Sequence, residues 1–302
     1  MLQKFLKYIR YEKNYSSHTV LSYKNDLSHF ESYLQAEVGS VDYATVDTDI
    51  IRNYVVVLME QGVSARSVGR KLSALRTLFR FLIKEKVVAT SPAEMVAKPK
   101  DGKTLPGFVR EVEMDALLDE GVEESTTFEG VRDKLIISIL YQTGMRRDEL
   151  ITLRDKDVDF FANTLKVTGK RNKQRVIPFG SELREEIERY LKYREKEVGT
   201  ATERLFVKKD GEPLYPVLVY RIVKRELSKV STRQKLSPHV LRHTFASVML
   251  NNGADLDSVK ELLGHASLNS TQVYTHVTFE ELKHNYNQAH PRALKKGGLY
   301  GD

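Results

Sequence analysis

His239, Arg242, His265 and Tyr274 fall within a short and otherwise helical stretch of the chain. His239 and Arg242 lie in Leu236-Ser237-Pro238-His239-Val240-Leu241-Arg242-His243, His265 closes Leu262-Leu263-Gly264-His265, and Tyr274 follows Val273. Each of these side chains can touch a phosphate. A tyrosine hydroxyl, with a pKa of about 10, is a poor nucleophile at neutral pH, so its attack on a phosphodiester needs help. Negative charge collects on the non-bridging oxygens and calls for guanidinium forks, while the departing sugar oxygen needs a proton donor. Arg242 supplies one fork, and a second should exist elsewhere in the chain.

The elements that must hold these groups can be read from local signals. Ser237 as cap and Pro238 in the first turn open a helix on which His239 and Arg242, at i and i+3, share one face. Asp255 to Leu263 reads as the next amphipathic helix, burying Leu256, Val259, Leu262 and Leu263, and Gly264 is placed to end it in the left-handed conformation. Thr278-Phe279-Glu280-Glu281 has the capping-box spacing of a final helix, so Tyr274 sits near a junction.

With 302 residues the chain should build about two domains. Its 41% hydrophobic and 29% charged residues are ordinary for a globular protein. No apolar run approaches a membrane span and residues 1–11 lack a signal-peptide core, so a cytoplasmic protein without membrane contact is expected. The absence of cysteine excludes disulfides, thiolate metal sites and cysteine nucleophiles. A net charge of +7 favours a polyanionic partner.

Residues 1–97 read as all helix. Ser64 to Lys84 is the most informative segment there, because it contains no acidic residue. Arg66, Arg70, Arg76, Arg80 and Lys84 share one face with Ser73 and Thr77, opposite Val68, Leu72, Leu75, Phe79 and Leu82. A solvated helix with snorkelling cations is the bland alternative, but such helices usually intersperse Glu or Asp for i,i+4 pairing. The cationic face is therefore read as a DNA-binding one. A Pro/Gly/Lys-rich linker follows at residues 98–107, and residues 108–302 form the second domain.

In that second domain, Val131 to Tyr141 is a strongly apolar core helix that delivers Thr143-Gly144-Met145-Arg146-Arg147-Asp148-Glu149-Leu150. Gly144 breaks the helix, Leu150 restarts one, and the turn between them presents an arginine. Leu165 and Val167, a polar turn at Gly169 to Lys173, and Arg175 to Phe179 make a small β-hairpin with lysines at its tip. Helices are expected from Ser181 to Arg194 and from Pro216 to Lys229. His239 and His243, at i and i+4, have zinc-chelating spacing. The metalloprotease glutamate is missing, however, and Arg242 stands beside the supposed cation, so His243 reads as a packing residue and no metal is expected.

Taken together, Thr143-Gly144-Met145-Arg146, Gly169-Lys170, His239-Val240-Leu241-Arg242, Leu262-Leu263-Gly264-His265 and Tyr274-Thr275-His276-Val277 resemble, in this order, the tyrosine site-specific recombinases of the lambda integrase family, most closely the bacterial Xer recombinases. The likeness runs on to His290-Pro291-Arg292-Ala293. It implies a mainly α fold: a helical amino-terminal core-binding domain and a mostly helical catalytic domain with a small antiparallel sheet, clamping duplex DNA. Carried over by position, Tyr274 is the nucleophile of a 3′-phosphotyrosyl link and Arg146 and Arg242 bind the scissile phosphate. Lys170 protonates the 5′-oxygen, with Lys173 as the alternative donor. His239 and His265 assist proton transfer, and Glu149 orients the site. Arg147 and Asp148 depart from the commonest residues of the family and are expected to pair with each other. No cofactor is required. The resemblance further implies two protomers on each recombination site and a synaptic tetramer, of one recombinase or of two related ones, with a DNA translocase as a conceivable activator. It also places the helix from Phe279 to His290 on a neighbouring protomer; packing in cis is the alternative. A mobile-element integrase, a relaxing topoisomerase and a non-catalytic DNA-binding protein are the competing readings.

Overall fold

Helix α4, Ala65–Lys84, shows how the first half of the chain is assembled. Ser64 caps it by accepting from the Ser67 amide, and Val68, Leu72, Leu75, Leu78, Phe79 and Leu82 are buried along one side. In the computed structural model, which describes residues 1–100, 102, 107–120, 127–169, 172–199, 202–232, 236–264 and 278–293, that stripe meets three further helices. These are α1 (Leu2–Lys7, continued by a π-helical turn at Tyr8–Glu12), α2 (Ser17–Glu37) and α3 (Thr48–Glu60). Ser16 and Asp47 cap α2 and α3 through the amides of Thr19 and Ile50. Phe5, Ile9, Leu27, Phe30, Leu34, Tyr54 and Leu58 complete the core. The chain divides into two units, Met1–Thr104 and Leu105–Asp302.

The polar face of α4 departs from expectation in one respect. Its acids exist, but other segments bring them: Asp26 pairs with Arg70 and Lys71, Glu94 with Arg80, and Glu12 with Lys84. Arg76 is drawn inward, donating from Nε to the Ala93 carbonyl at 3.1 Å and from Nη2 to the Val96 carbonyl at 2.7 Å. It thereby holds the segment after α4 onto the unit. Arg76→Ala is expected to lower stability by about 2 kcal/mol, because two carbonyls lose their donor. Arg80→Ala, at an exposed pair, should cost less than about 0.5 kcal/mol. Urea titrations of the full chain compare them, and equal midpoints for the two variants would refute the structural role of Arg76.

The second unit is built on α6, Phe128–Thr143, which is buried along nearly its whole length. The short α5 (Glu111–Asp115) precedes it and α7 (Arg147–Thr152) follows. The sheet has three strands rather than the two of a hairpin: β1 (Val158–Asp159), β2 (Thr164–Thr168) and β3 (Gln174–Pro178), all antiparallel, with Val167 opposite Arg175 and Leu165 opposite Ile177. Then come α8 (Ser181–Glu197), α9 (Pro216–Leu227), α10 (Pro238–Asn251), α11 (Leu256–Leu263) and α12 (Phe279–Ala289). Pro238 takes the first position of α10, but the Ser237 side chain makes no capping bond. Asp255 caps α11, and Thr278 with Glu281 forms the expected capping box on α12.

The helix that the resemblance places on a neighbouring protomer lies, in this single chain, against α10, α11 and β3. Leu282 and Tyr286 are buried, Asn285 donates to Ser258 Oγ at 2.9 Å, and His290 is sealed beside the rings of Tyr141, Phe245 and Tyr286. Arg292 ties the end down through Glu182 of α8 and Asp119. The cause is local: Leu282, Tyr286 and Ala289 make one apolar stripe that must be covered.

Near this anchor Glu186 of α8 is half-buried, and its Oε2 is shut away from solvent with no hydrogen-bond partner among the described residues. Burial, and then Glu182, push its carboxyl up from 4.5 to about 7 against the opposing pull of Ser138, Lys134 and Arg292. The folded chain thus holds this proton more tightly than the unfolded one, so this group makes stability fall as pH rises from 4.5 to about 7. Glu186→Gln should remove that decline and be the more stable form above pH 7. Urea midpoints at acidic and alkaline pH test this, and parallel curves for both proteins would contradict it.

Candidate active site

The end of α6 sets the first fork. Gly144 caps the helix in the left-handed conformation (φ 59°), which ends α6 and turns the chain toward Arg146. Helix α7 restarts at Arg147, three residues earlier than Leu150, because Arg146 is its cap and Glu149 reaches back to the Arg146 amide at 2.8 Å. Glu149 also accepts from Arg146 Nη1 at 2.9 Å. Arg147 pairs with Asp148 at the surface.

A second arginine shares the Glu149 carboxylate. Arg175 of β3 grips it with Nη1 at 3.0 Å and Nη2 at 2.8 Å, and its Nε donates to the Leu262 carbonyl at 2.7 Å. Arg175 received no role from its sequence context. The signal lay in its phase: it lies on the same strand face as Ile177 and Phe179, and an arginine in register with core residues needs a buried carboxylate.

Arg242 of α10 brings the other fork. Its Nη1 donates to the Gly144 carbonyl and its Nη2 to the Leu263 carbonyl, both at 2.7 Å. Arg146 Nη2 reaches the Gly264 carbonyl at 3.4 Å. The three consecutive carbonyls at the end of α11, Leu262, Leu263 and Gly264, thus each accept from a different arginine. A helix C-terminus leaves carbonyls unpaired and carries partial negative charge, so it can gather cations that would otherwise repel one another. Gly264 is left-handed (φ 64°), and a Cβ there would lie 3.2 Å from the Arg175 side chain.

The electrostatics follow from this packing. Burial alone would raise the Glu149 carboxyl, but hydrogen bonds from Arg175 and the Arg146 amide, with the two guanidinium charges, hold it below the usual carboxylate range. Burial, and then the nearby Arg146 and Arg175, bring Arg242 down to about 10. A cation destabilised in this way gains from an arriving anion.

Of the residues singled out from sequence, Arg146, Glu149 and Arg242 come together here. His239 lies exposed in the first turn of α10 and His243 is half-buried one turn on. Lys170, His265 and Tyr274 lie outside the described residues. The residues just before Lys170 and His265 are described, and both adjoin the cluster. A Cβ on Gly169 would lie 3.2 Å from Glu149 Oε1, and Gly264 supplies one of the three carbonyls. Lys173 is exposed, and its carbonyl accepts from the Gly169 amide at 2.8 Å, closing the hairpin loop. Among the described residues no group of three or more His, Cys, Asp or Glu could hold a metal ion, and no helix is long and apolar enough to cross a membrane. In the first unit, Arg66, Arg70, Arg80 and Lys84 are exposed on α4, while Ser73 and Thr77 bond back to the carbonyls of Gly69 and Ser73.

Solved structures share this fold. The chain is similar to the XerH site-specific recombinase bound to a palindromic difH substrate (TM-score 0.71, 24% identity, 95% of this chain and 84% of that one). It is also similar to a lambda integrase dimer bound to a core site (TM-score 0.69, 18% identity, 91% and 97%). The fold is that of the tyrosine recombinases. Sequence likeness is closer: 39% identity to tyrosine recombinase XerC of Bacillus subtilis, over 97% of this chain and 96% of the relative. Against tyrosine recombinase XerC of Oceanobacillus iheyensis the identity is 42%, over 96% and 95%. Residues 108–281 match the phage integrase family, and residues 2–86 match the phage integrase N-terminal SAM-like domain. The chain belongs to the phage integrase family, the tyrosine recombinases that cut and rejoin DNA through a phosphotyrosine intermediate.

Proposed function

We propose that this chain acts as a Xer-type recombinase, resolving joined chromosome or plasmid copies at a specific duplex site in the cytoplasm. In this reading the Tyr274 oxygen attacks the scissile phosphorus, the bond to the 5′-oxygen breaks, and Lys170 delivers the proton that the leaving oxygen needs. His239 and His265 handle the phenolic proton and the phosphate. Arg146 and Arg242 hold the non-bridging oxygens, where preorganised cations are worth most because negative charge grows there in the transition state. The covalent link retains the phosphodiester energy, so a 5′-hydroxyl from another strand can reverse the step without a cofactor. The reading further has two protomers on each site and four in the synapse, with α4 following the DNA backbone through Arg66, Arg70, Arg80 and Lys84.

The observation that carries this reading is the arginine cluster itself. Arg146, held by Glu149 and the Gly264 carbonyl, and Arg242, held by the Gly144 and Leu263 carbonyls, meet at one helix end, with the residues that precede Lys170 and His265 at its edge. Arg242 uses two of its five N–H groups on carbonyls, which leaves donors for a phosphate. Incubating the protein with fragmented genomic DNA, denaturing, and sequencing the DNA that stays attached tests the proposal. Attachment at one recurring junction is expected, and a wild-type protein that leaves no DNA attached would overturn it.

A further inference from the structure

Arg175 stands where three separately folded pieces of the site meet. From β3 it holds both oxygens of Glu149, and through that carboxylate the Arg146 fork. Its Nε fixes the Leu262 carbonyl, two residues before Gly264 and three before His265. Its side chain also lies against Gly264, so the end of α11 cannot move toward β3 without displacing it. Only 9% of the side chain is exposed, which leaves little of it for contact with DNA. A lysine could neutralise Glu149, but an ammonium group lacks the planar fork that bonds two carboxylate oxygens and a carbonyl in different directions at once.

We infer that Arg175 is a positioning residue for strand cleavage: it sets the Arg146 fork through Glu149 and the end of α11 through Leu262, so that both approach the same phosphate in register. This rests on the recombinase reading above. On this inference the reacting groups are those of Arg146, Arg242, Lys170 and the residues after Gly264, and Arg175 acts on them only through Glu149 and the Leu262 carbonyl. Its loss should therefore appear in the rate of the chemical step and leave DNA affinity unaltered, because small misplacements of reacting groups lower rates steeply.

The test uses the full chain and a duplex carrying the junction at which the wild-type protein becomes attached to DNA. Arg175→Lys is compared with Ile177→Val, a core loss two residues along the same strand face that leaves the arginine cluster untouched. Melting curves establish that both variants are folded. For Arg175→Lys the rate of covalent attachment at saturating duplex is expected to fall about 100-fold, with the dissociation constant within about threefold of wild type. Ile177→Val should keep a rate within about threefold of wild type. The inference is overturned if Arg175→Lys reacts as fast as Ile177→Val, or if its loss appears entirely as weaker binding. If wild-type protein attaches to no duplex, the recombinase reading falls and takes this one with it.

Discussion

Arg242→Ala is expected to lower the rate of covalent attachment to DNA by about 1,000-fold while changing the stability of the free protein by only about 1 kcal/mol. Two effects oppose each other in the free chain. The carbonyls of Gly144 and Leu263 lose their donor, which destabilises. At the same time a buried cation disappears from beside Arg146 and Arg175, which stabilises, as its pKa near 10 indicates. Under the proposed function nothing offsets the loss in the transition state, because the charge growing on the phosphate has one fork fewer. A thousandfold rate change corresponds to about 4 kcal/mol and therefore dominates. Arg242→Lys should recover only a small part of the rate, since one ammonium cannot hold two carbonyls and a phosphate together. Single-turnover kinetics with paired urea titrations check both halves. A variant that is strongly destabilised yet reacts normally per folded molecule would reverse the assignment.

Gly144→Ala is expected to remove about 3 kcal/mol of stability and, with it, much of the activity. The residue is left-handed, and a Cβ there would lie 2.4 Å from Phe245 Cδ1 and 2.9 Å from Leu263 Cδ2. Phe245 is fully buried against His290, so its ring has little room to retreat. Left-handed strain of about 1–2 kcal/mol adds to an overpacking cost of about 1–3 kcal/mol. The shift also reaches the site, because the Gly144 carbonyl holds Arg242 and Leu263 carries another of its acceptors. Urea unfolding and adduct kinetics should both worsen, and a wild-type midpoint would contradict the packing described here.

The part of the candidate site built around Arg146, Glu149 and Arg242 was legible from local spacing. Arg146 and Glu149 stand at i and i+3 after a helix-ending glycine, as do His239 and Arg242 after a proline, and a single chain segment sets each pair. The left-handed Gly264 and the capping box at Thr278 were legible for the same reason. What spacing does not reveal is a partner from a distant segment. Arg175 meets Glu149 across 26 residues and Leu262 across 87. Asp26, Glu94 and Glu12 reach α4 from other parts of its unit, so an acid-free helix gave no measure of the charge around it. Strand β1, two residues long, is too short to show an alternation and exists through its pairing with β2.

The central claim is that one phenolic oxygen becomes bonded to a DNA end held by Arg146 and Arg242. The most direct measurement is mass spectrometry of the peptide left attached after wild-type protein has reacted with its captured duplex and been digested. A single nucleotide-bearing peptide is expected, modified at Tyr274 through a 3′-phosphate and lost in Tyr274→Phe. A modified peptide from elsewhere in the chain, or attachment through a 5′-phosphate, would contradict the assignment.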